Sequence, residues 1–149
     1  MSIVSSNFVA PYPVELTITR KWFSLFGGSF TVTDVKGKAM FKMLRFENRW
    51  LALRGDSSSS KDIIFNINQS SLIQVKSSLN VFLGNNDKVR GIYDFKVKGG
   101  WFDQSCTIYA RDGTTIIAKM ENNVVTVYPN VDQAFIVALI VIMKSMGEN

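Results

Sequence analysis

Ala134 to Met143 reads AFIVALIVIM, ten consecutive residues without a polar side chain, followed by Lys144 and Gly147. A membrane span needs ~20 apolar residues, whereas a run of ~10–14 belongs to a buried core helix. A helix that is apolar on every face must be surrounded by protein on every side. The flanking residues carry helix signals: Asn130 is placed to cap the N-terminus, Gln133 follows three residues later as in a capping box, and Asp132 suits the positive end of the helix dipole. Lys144 falls in the last turn and Gly147 is placed to stop it. The pattern predicts a helix from about Val131 to Met146, with Ala134, Phe135, Val137, Ala138, Ile140, Val141 and Ile142 all buried. Everything before it reads as strands, so the chain is expected to wrap β-structure around one apolar helix.

The strand signals recur at short intervals. Val14 to Lys21, Phe30 to Val35, Ala39 to Met43 and Arg49 to Leu53 come first. Asp62 to Asn68, Leu72 to Lys76, Leu79 to Leu83 and Tyr93 to Lys98 continue the series, and Ser105 to Ala110, Thr115 to Met120 and Val124 to Tyr128 complete it. Gly27-Gly28, Lys36-Gly37, the serine run Ser57 to Ser60, Gly84 to Asp87, Gly99-Gly100 and Asp112-Gly113 supply the turns. About ten short strands and one helix result, with no linker long enough to divide domains. Residues 1–13, with Pro11 and Pro13 around Tyr12, read as an extended lead-in, and residues 14–149 as a single domain. At 149 residues and 46% hydrophobic, the chain is large and apolar enough for a real core.

Several kinds of chemistry find no support. There is no histidine, which removes the commonest general base and most zinc sites. Cys106 is the only cysteine; it fits a reducing compartment and, on an apolar strand, reads as a small buried hydrophobe. No phosphate-binding glycine loop is present, and the carboxylates Asp56, Asp62, Asp94, Asp103 and Asp112 show no paired spacing. No catalytic residue, cofactor site or metal site is expected, and there is no convincing nucleic-acid motif. The N-terminus carries no signal-peptide pattern, so the expected setting is intracellular: cytoplasmic, plasma-membrane-associated or nuclear. Asn68-Gln69-Ser70 matches a glycosylation sequon and Arg54-Gly55-Asp56 an integrin tripeptide, and neither has use inside a cell.

Charge points instead to binding. The net charge is +5, and residues 20–49 hold seven cations, Arg20, Lys21, Lys36, Lys38, Lys42, Arg45 and Arg49, against Asp34 and Glu47. Lys96 and Lys98 are two apart on one strand and share a face, opposite Phe95 and Val97. Arg20, Lys36, Lys38, Lys42, Lys96 and Lys98 are therefore the candidate residues for anionic lipid or phosphoinositide. The alternative is that these lysines only guard sheet edges. Whether they converge depends on strand order. Trp22, Trp50 and Trp101 read as core residues before interface anchors.

Four segments carry a family resemblance: YPVELTITRKWFSLFGGSFTVTDVKGK from Tyr12, RWLALRGDSSSSKDIIF from Arg49, YDFKVKGGWFDQSCTIYA from Tyr93, and VVTVYPNVDQAFIVALIVIM from Val124. Together they resemble the plant LURP-one-related proteins of the Tubby C-terminal-like superfamily. The resemblance implies a mainly β fold, an antiparallel tubby-like barrel of twelve strands around a central hydrophobic C-terminal helix. It also implies a non-enzymatic, phospholipid-scramblase-related, membrane-tethered protein with a transcription-linked or plant defence role. The alternative is a protein-interaction scaffold in defence signalling, without lipid binding; in either case a monomer is expected. The chain departs from the family twice. It runs straight through KMLRFENRW from Lys42, where a further hairpin is expected, and only Glu121-Asn122-Asn123 stand between Met120 and Val124. Both gaps remove barrel material, so fewer than twelve strands are expected, with strand edges and part of the helix open to solvent.

Overall fold

A computed structural model of the chain describes residues 1–17, 29–33, 36–46, 49–57, 59–73, 76–84, 93–100 and 105–146. Ten strands form one antiparallel sheet: β1 (Val14–Thr17), β2 (Ser29–Thr33), β3 (Ala39–Phe46), β4 (Arg49–Arg54), β5 (Ile63–Ile73), β6 (Lys76–Leu83), β7 (Phe95–Gly100), β8 (Ser105–Tyr109), β9 (Ile116–Glu121) and β10 (Val124–Val127). They run in the order β1-β10-β9-β8-β7-β6-β5-β4-β3-β2, and α1 (Gln133–Met146) follows. Among the described residues no ladder joins β1 to β2, so the sheet is not closed into a barrel, although the architecture fits the tubby-like class.

Period-2 alternation builds the sheet's inner face. Phe41 and Met43 on β3, Trp50 and Ala52 on β4, Phe65 and Ile67 on β5, and Leu79 and Val81 on β6 are all buried. Val97 on β7, Cys106 and Ile108 on β8, Ala118 and Met120 on β9, and Val125 and Val127 on β10 continue that surface. These residues and α1 make one core cluster. Ala134, Phe135, Ala138, Ile140, Val141 and Ile142 are buried as expected, and so are Ile136, Leu139 and Met143. Val137 is only half-buried. It shares a helix face with half-buried Gln133 four residues earlier, which leaves one narrow stripe less covered than the rest. The ring of Phe135 meets Phe65 edge-on at 5.0 Å and Phe95 at 5.1 Å, locking the helix between β5 and β7.

Three local expectations are corrected. The helix starts at Gln133, and its cap is Asp132: the Phe135 N–H donates to Asp132 Oδ1 at 3.1 Å. Asn130 instead has a left-handed φ of 65° in the turn leading to the helix. The three segments expected between Asp62 and Leu83 are two long strands, β5 and β6, paired from Phe65↔Leu83 to Ile73↔Lys76. The residues left between the expected segments, 69–71 and 77–78, lie within these strands. Glu121-Asn122-Asn123-Val124 is a two-residue hairpin with φ of 50° and 66° at its asparagines, a type I′ pattern that closes the second family gap tightly. At the first gap, β3 runs without interruption to Phe46.

Residues 1–13 lie against the helix entrance. Val4 is buried, Ile3 and Phe8 pack on the core, and Ser6–Phe8 forms one 3-10 turn.

Candidate anion-binding surface

The alternation that points Phe95 and Val97 inward sends Lys96 and Lys98 to the outer face of β7. Register then fixes their neighbours. Lys96 stands between Asn80 on β6 and Tyr109 on β8, and Lys98 between Ser78 and Thr107. Thr107 in turn pairs with Lys119 on β9. Lys98 and Lys119 therefore flank one threonine hydroxyl on the same face, two strand spacings or ~10 Å apart at their backbones. Lys96 is ~7 Å from Lys98 along β7.

Aromatic rings shape the patch. Lys96 Nζ lies 5.2 Å from the Tyr93 ring centroid and Lys98 Nζ 5.5 Å from that of Tyr109, each contact contributing about 0.5–1 kcal/mol at an exposed site. Arg111 adds an exposed cation on the turn after β8. Acids border the surface. Glu121 follows Lys119 by two residues, and Glu15 is reached from Lys119 through Thr126. Asp112, on the same turn as Arg111, has its carboxyl pKa lowered to about 2 by the Thr115 hydroxyl and by the backbone N–H groups of Thr115 and Thr114.

The sequence-derived candidates divide into two groups. Lys96 and Lys98 belong to this patch. Lys36 and Lys38 are exposed on either side of Gly37 in the β2–β3 turn, and Lys42 points outward on β3 with its ammonium 4.0 Å from Asp56. β3 is four strands from β7, roughly 19 Å along the sheet, so the six residues do not form one site. Arg20 lies outside the described residues, as do Trp22 and Trp101. Lys119 escaped the sequence reading. Its signal was the single charge between the inward pair Ala118 and Met120, legible only once β9 is known to sit two strands from β7.

Between the two groups the outer face is mixed: a polar row runs beside an apolar one, in which Leu44, Leu51 and buried Phe82 flank Asn66. Arg49, Asn68, Asn80 and Lys96 follow one another across β4 to β7. Arg49 Nη2 donates to Asn66 Oδ1 at 3.2 Å, and Asn66 Nδ2 to the Gly84 carbonyl at 3.0 Å. Asn68 of the sequon is 2% exposed inside β5, and Arg54 of the RGD tripeptide donates to the Val4 carbonyl at 3.0 Å. Trp50 and Cys106 are core residues, as read from the sequence.

Among the described residues no three His, Cys, Asp or Glu side chains gather as a metal site, and no helix is long and apolar enough to cross a membrane. The patch supplies ammonium charges and hydroxyls, which bind phosphate as point charges and hydrogen-bond donors.

Comparison with known proteins gives the same architecture and a family. The LURP-one-related family model matches residues 16–144. LURP-one-related 10 from Arabidopsis thaliana is 40% identical over 189 aligned positions, covering 99% of this chain and 97% of that one. At least 40 of those 189 positions hold no residue of this 149-residue chain, and the coverage at both ends makes the missing positions internal. LURP1 from Arabidopsis thaliana is 36% identical over 182 positions, covering 95% of this chain and 87% of that one. An X-ray structure of an Arabidopsis thaliana protein superposes with a TM-score of 0.81 at 32% identity over 99% of both chains. The chain belongs to the LURP-one-related family.

Proposed function

We propose that this chain is a non-enzymatic, tubby-like and scramblase-related module that tethers to anionic membrane lipids, phosphoinositides included, through the outer face of β7, β8 and β9. It acts inside the plant cell, at the cytoplasmic side of the plasma membrane or in the nucleus, in a defence-related and transcription-linked role. The observation that carries the binding reading is the Lys98–Thr107–Lys119 row with Lys96 beside it. Each lysine near an anionic bilayer contributes about 1 kcal/mol, so three give an attachment of roughly 3 kcal/mol that salt weakens. The β2–β3 lysines form a second, separate contact.

Vesicle pelleting tests this reading, with phosphatidylcholine vesicles alone and with phosphatidylserine or a phosphoinositide added. The chain should pellet with the anionic vesicles only. Lys98→Gln with Lys119→Gln should abolish most of the binding, and Lys36→Gln with Lys38→Gln should leave most of it. Binding that ignores salt, or that survives the Lys98 and Lys119 pair, would refute the electrostatic site.

Tyr12, 62% exposed between exposed Pro11 and Pro13, supports a second reading, a protein-interaction scaffold in defence signalling. That reading prevails if no anionic vesicle binds the chain at low salt.

A further inference from the structure

Asp132 is fully buried, and its two carboxylate oxygens serve different parts of the chain. Oδ1 accepts from the Phe135 N–H and caps α1. Oδ2 accepts from three consecutive backbone N–H groups, those of Ile3 at 2.9 Å, Val4 at 2.6 Å and Ser5 at 3.1 Å. Successive N–H groups converging on one oxygen form an anion nest, and bonds to an ionised acceptor are stronger than neutral ones. Three further contacts hold the same segment. Arg54 Nη1 donates to the Val4 carbonyl at 3.0 Å, the Asn130 N–H donates to the Ala10 carbonyl at 2.7 Å, and Val9 bridges Asp132.

We propose that residues 3–10 are a detachable clasp on Asp132, opening as a unit separate from the sheet, and that this opening uncaps α1. The clasp lies before β1 and joins none of the sheet's ladders. Its backbone is held by a few contacts, three of them converging on one side chain, and such segments open at a free energy below that of global unfolding. Because one carboxylate serves both the clasp and the helix, loosening the clasp frees the group that orders the first turn of α1. Opening also uncovers Val4, Ile3 and Phe8 and the apolar core surface beneath them. The device thus couples the N-terminal segment to the entrance of the buried helix.

Residue-resolved hydrogen exchange on the full chain tests this proposal. The amides of Ile3, Val4, Ser5 and Phe135 should show one shared opening equilibrium, well below the protection of the β5 and β6 amides. Arg54→Met removes the clasp's carbonyl anchor without touching the helix cap. It should accelerate exchange of Ile3 to Ser5 and of Phe135 by the same factor, on the order of tenfold, and leave β5 and β6 unchanged. Asp132→Asn, if it folds, should accelerate the same four amides more strongly. Two results overturn the proposal: Ile3 to Ser5 exchanging only with β5 and β6, or Arg54→Met accelerating Ile3 to Ser5 while Phe135 stays as it was.

Discussion

Phe135→Ala tests whether the helix is as enclosed as the geometry indicates. The ring is fully buried, with Phe65 edge-on at 5.0 Å and Phe95 tilted at 5.1 Å. Truncating a buried phenylalanine costs about 3–5 kcal/mol through lost transfer energy and the cavity left behind. The two ring contacts, each contributing about 0.5–1.5 kcal/mol beyond area, put the expected loss in the upper part of that range. Against a domain stability of about 5–15 kcal/mol this is a severe change. With an unfolding entropy of ~2.1 cal/mol/K per residue, a loss of ~4 kcal/mol over 149 residues lowers Tm by roughly 13 °C. Urea unfolding followed by circular dichroism reads the change as a fall in midpoint at constant m-value. Phe135→Leu keeps most of the volume but loses both ring contacts, so it should cost about 1–3 kcal/mol. A Phe135→Ala loss below about 1 kcal/mol would show that α1 is not packed between β5 and β7 and would refute the buried-helix argument.

Gly99→Ala should destabilise by about 1–3 kcal/mol, because the added Cβ would stand 2.7 Å from Cys106 Cβ and 2.7 Å from the Ser105 carbonyl, both on the adjacent β8; thermal denaturation reads the effect. Asp112 has its folded-state pKa lowered to about 2 from an ordinary carboxyl value near 3.8, so its stabilising contribution is fully present above pH ~4 and is lost as pH falls toward 2. Replacing it with alanine should flatten the acid limb of stability over that window, and an NMR titration of Asp112 with its midpoint near 4 would remove the basis for this prediction.

The buried helix and nearly every strand were legible in the order of residues alone. Ten apolar residues in a row, too few for a bilayer, admit only a protein-lined environment, and Ala134 to Met143 is buried apart from the Val137 stripe. Alternation fixed the inner and outer residues of β7, because a strand's two faces are set by parity within one short segment. Where a choice depended on partners distant in the chain, the local signal misled. Asn130 and Asp132 are both good caps, and Asp132 takes the role because the N–H groups of residues 3–5, nearly 130 positions away, also converge on its carboxylate. Residues 69–71 and 77–78 interrupt the strand pattern in the sequence, yet Ser71 pairs with Ser78 and Leu72 with Ser77 once the hairpin folds. The site followed the same rule. Lys96 and Lys98 were legible as a same-face pair, but their union with Lys119, and their separation from Lys36, Lys38 and Lys42, rest on strand order. From β2 to β10 that order is a succession of neighbouring hairpins, but the register of each pair and the pairing of β1 with β10 depend on which inner faces close around α1, which no local window of residues encodes.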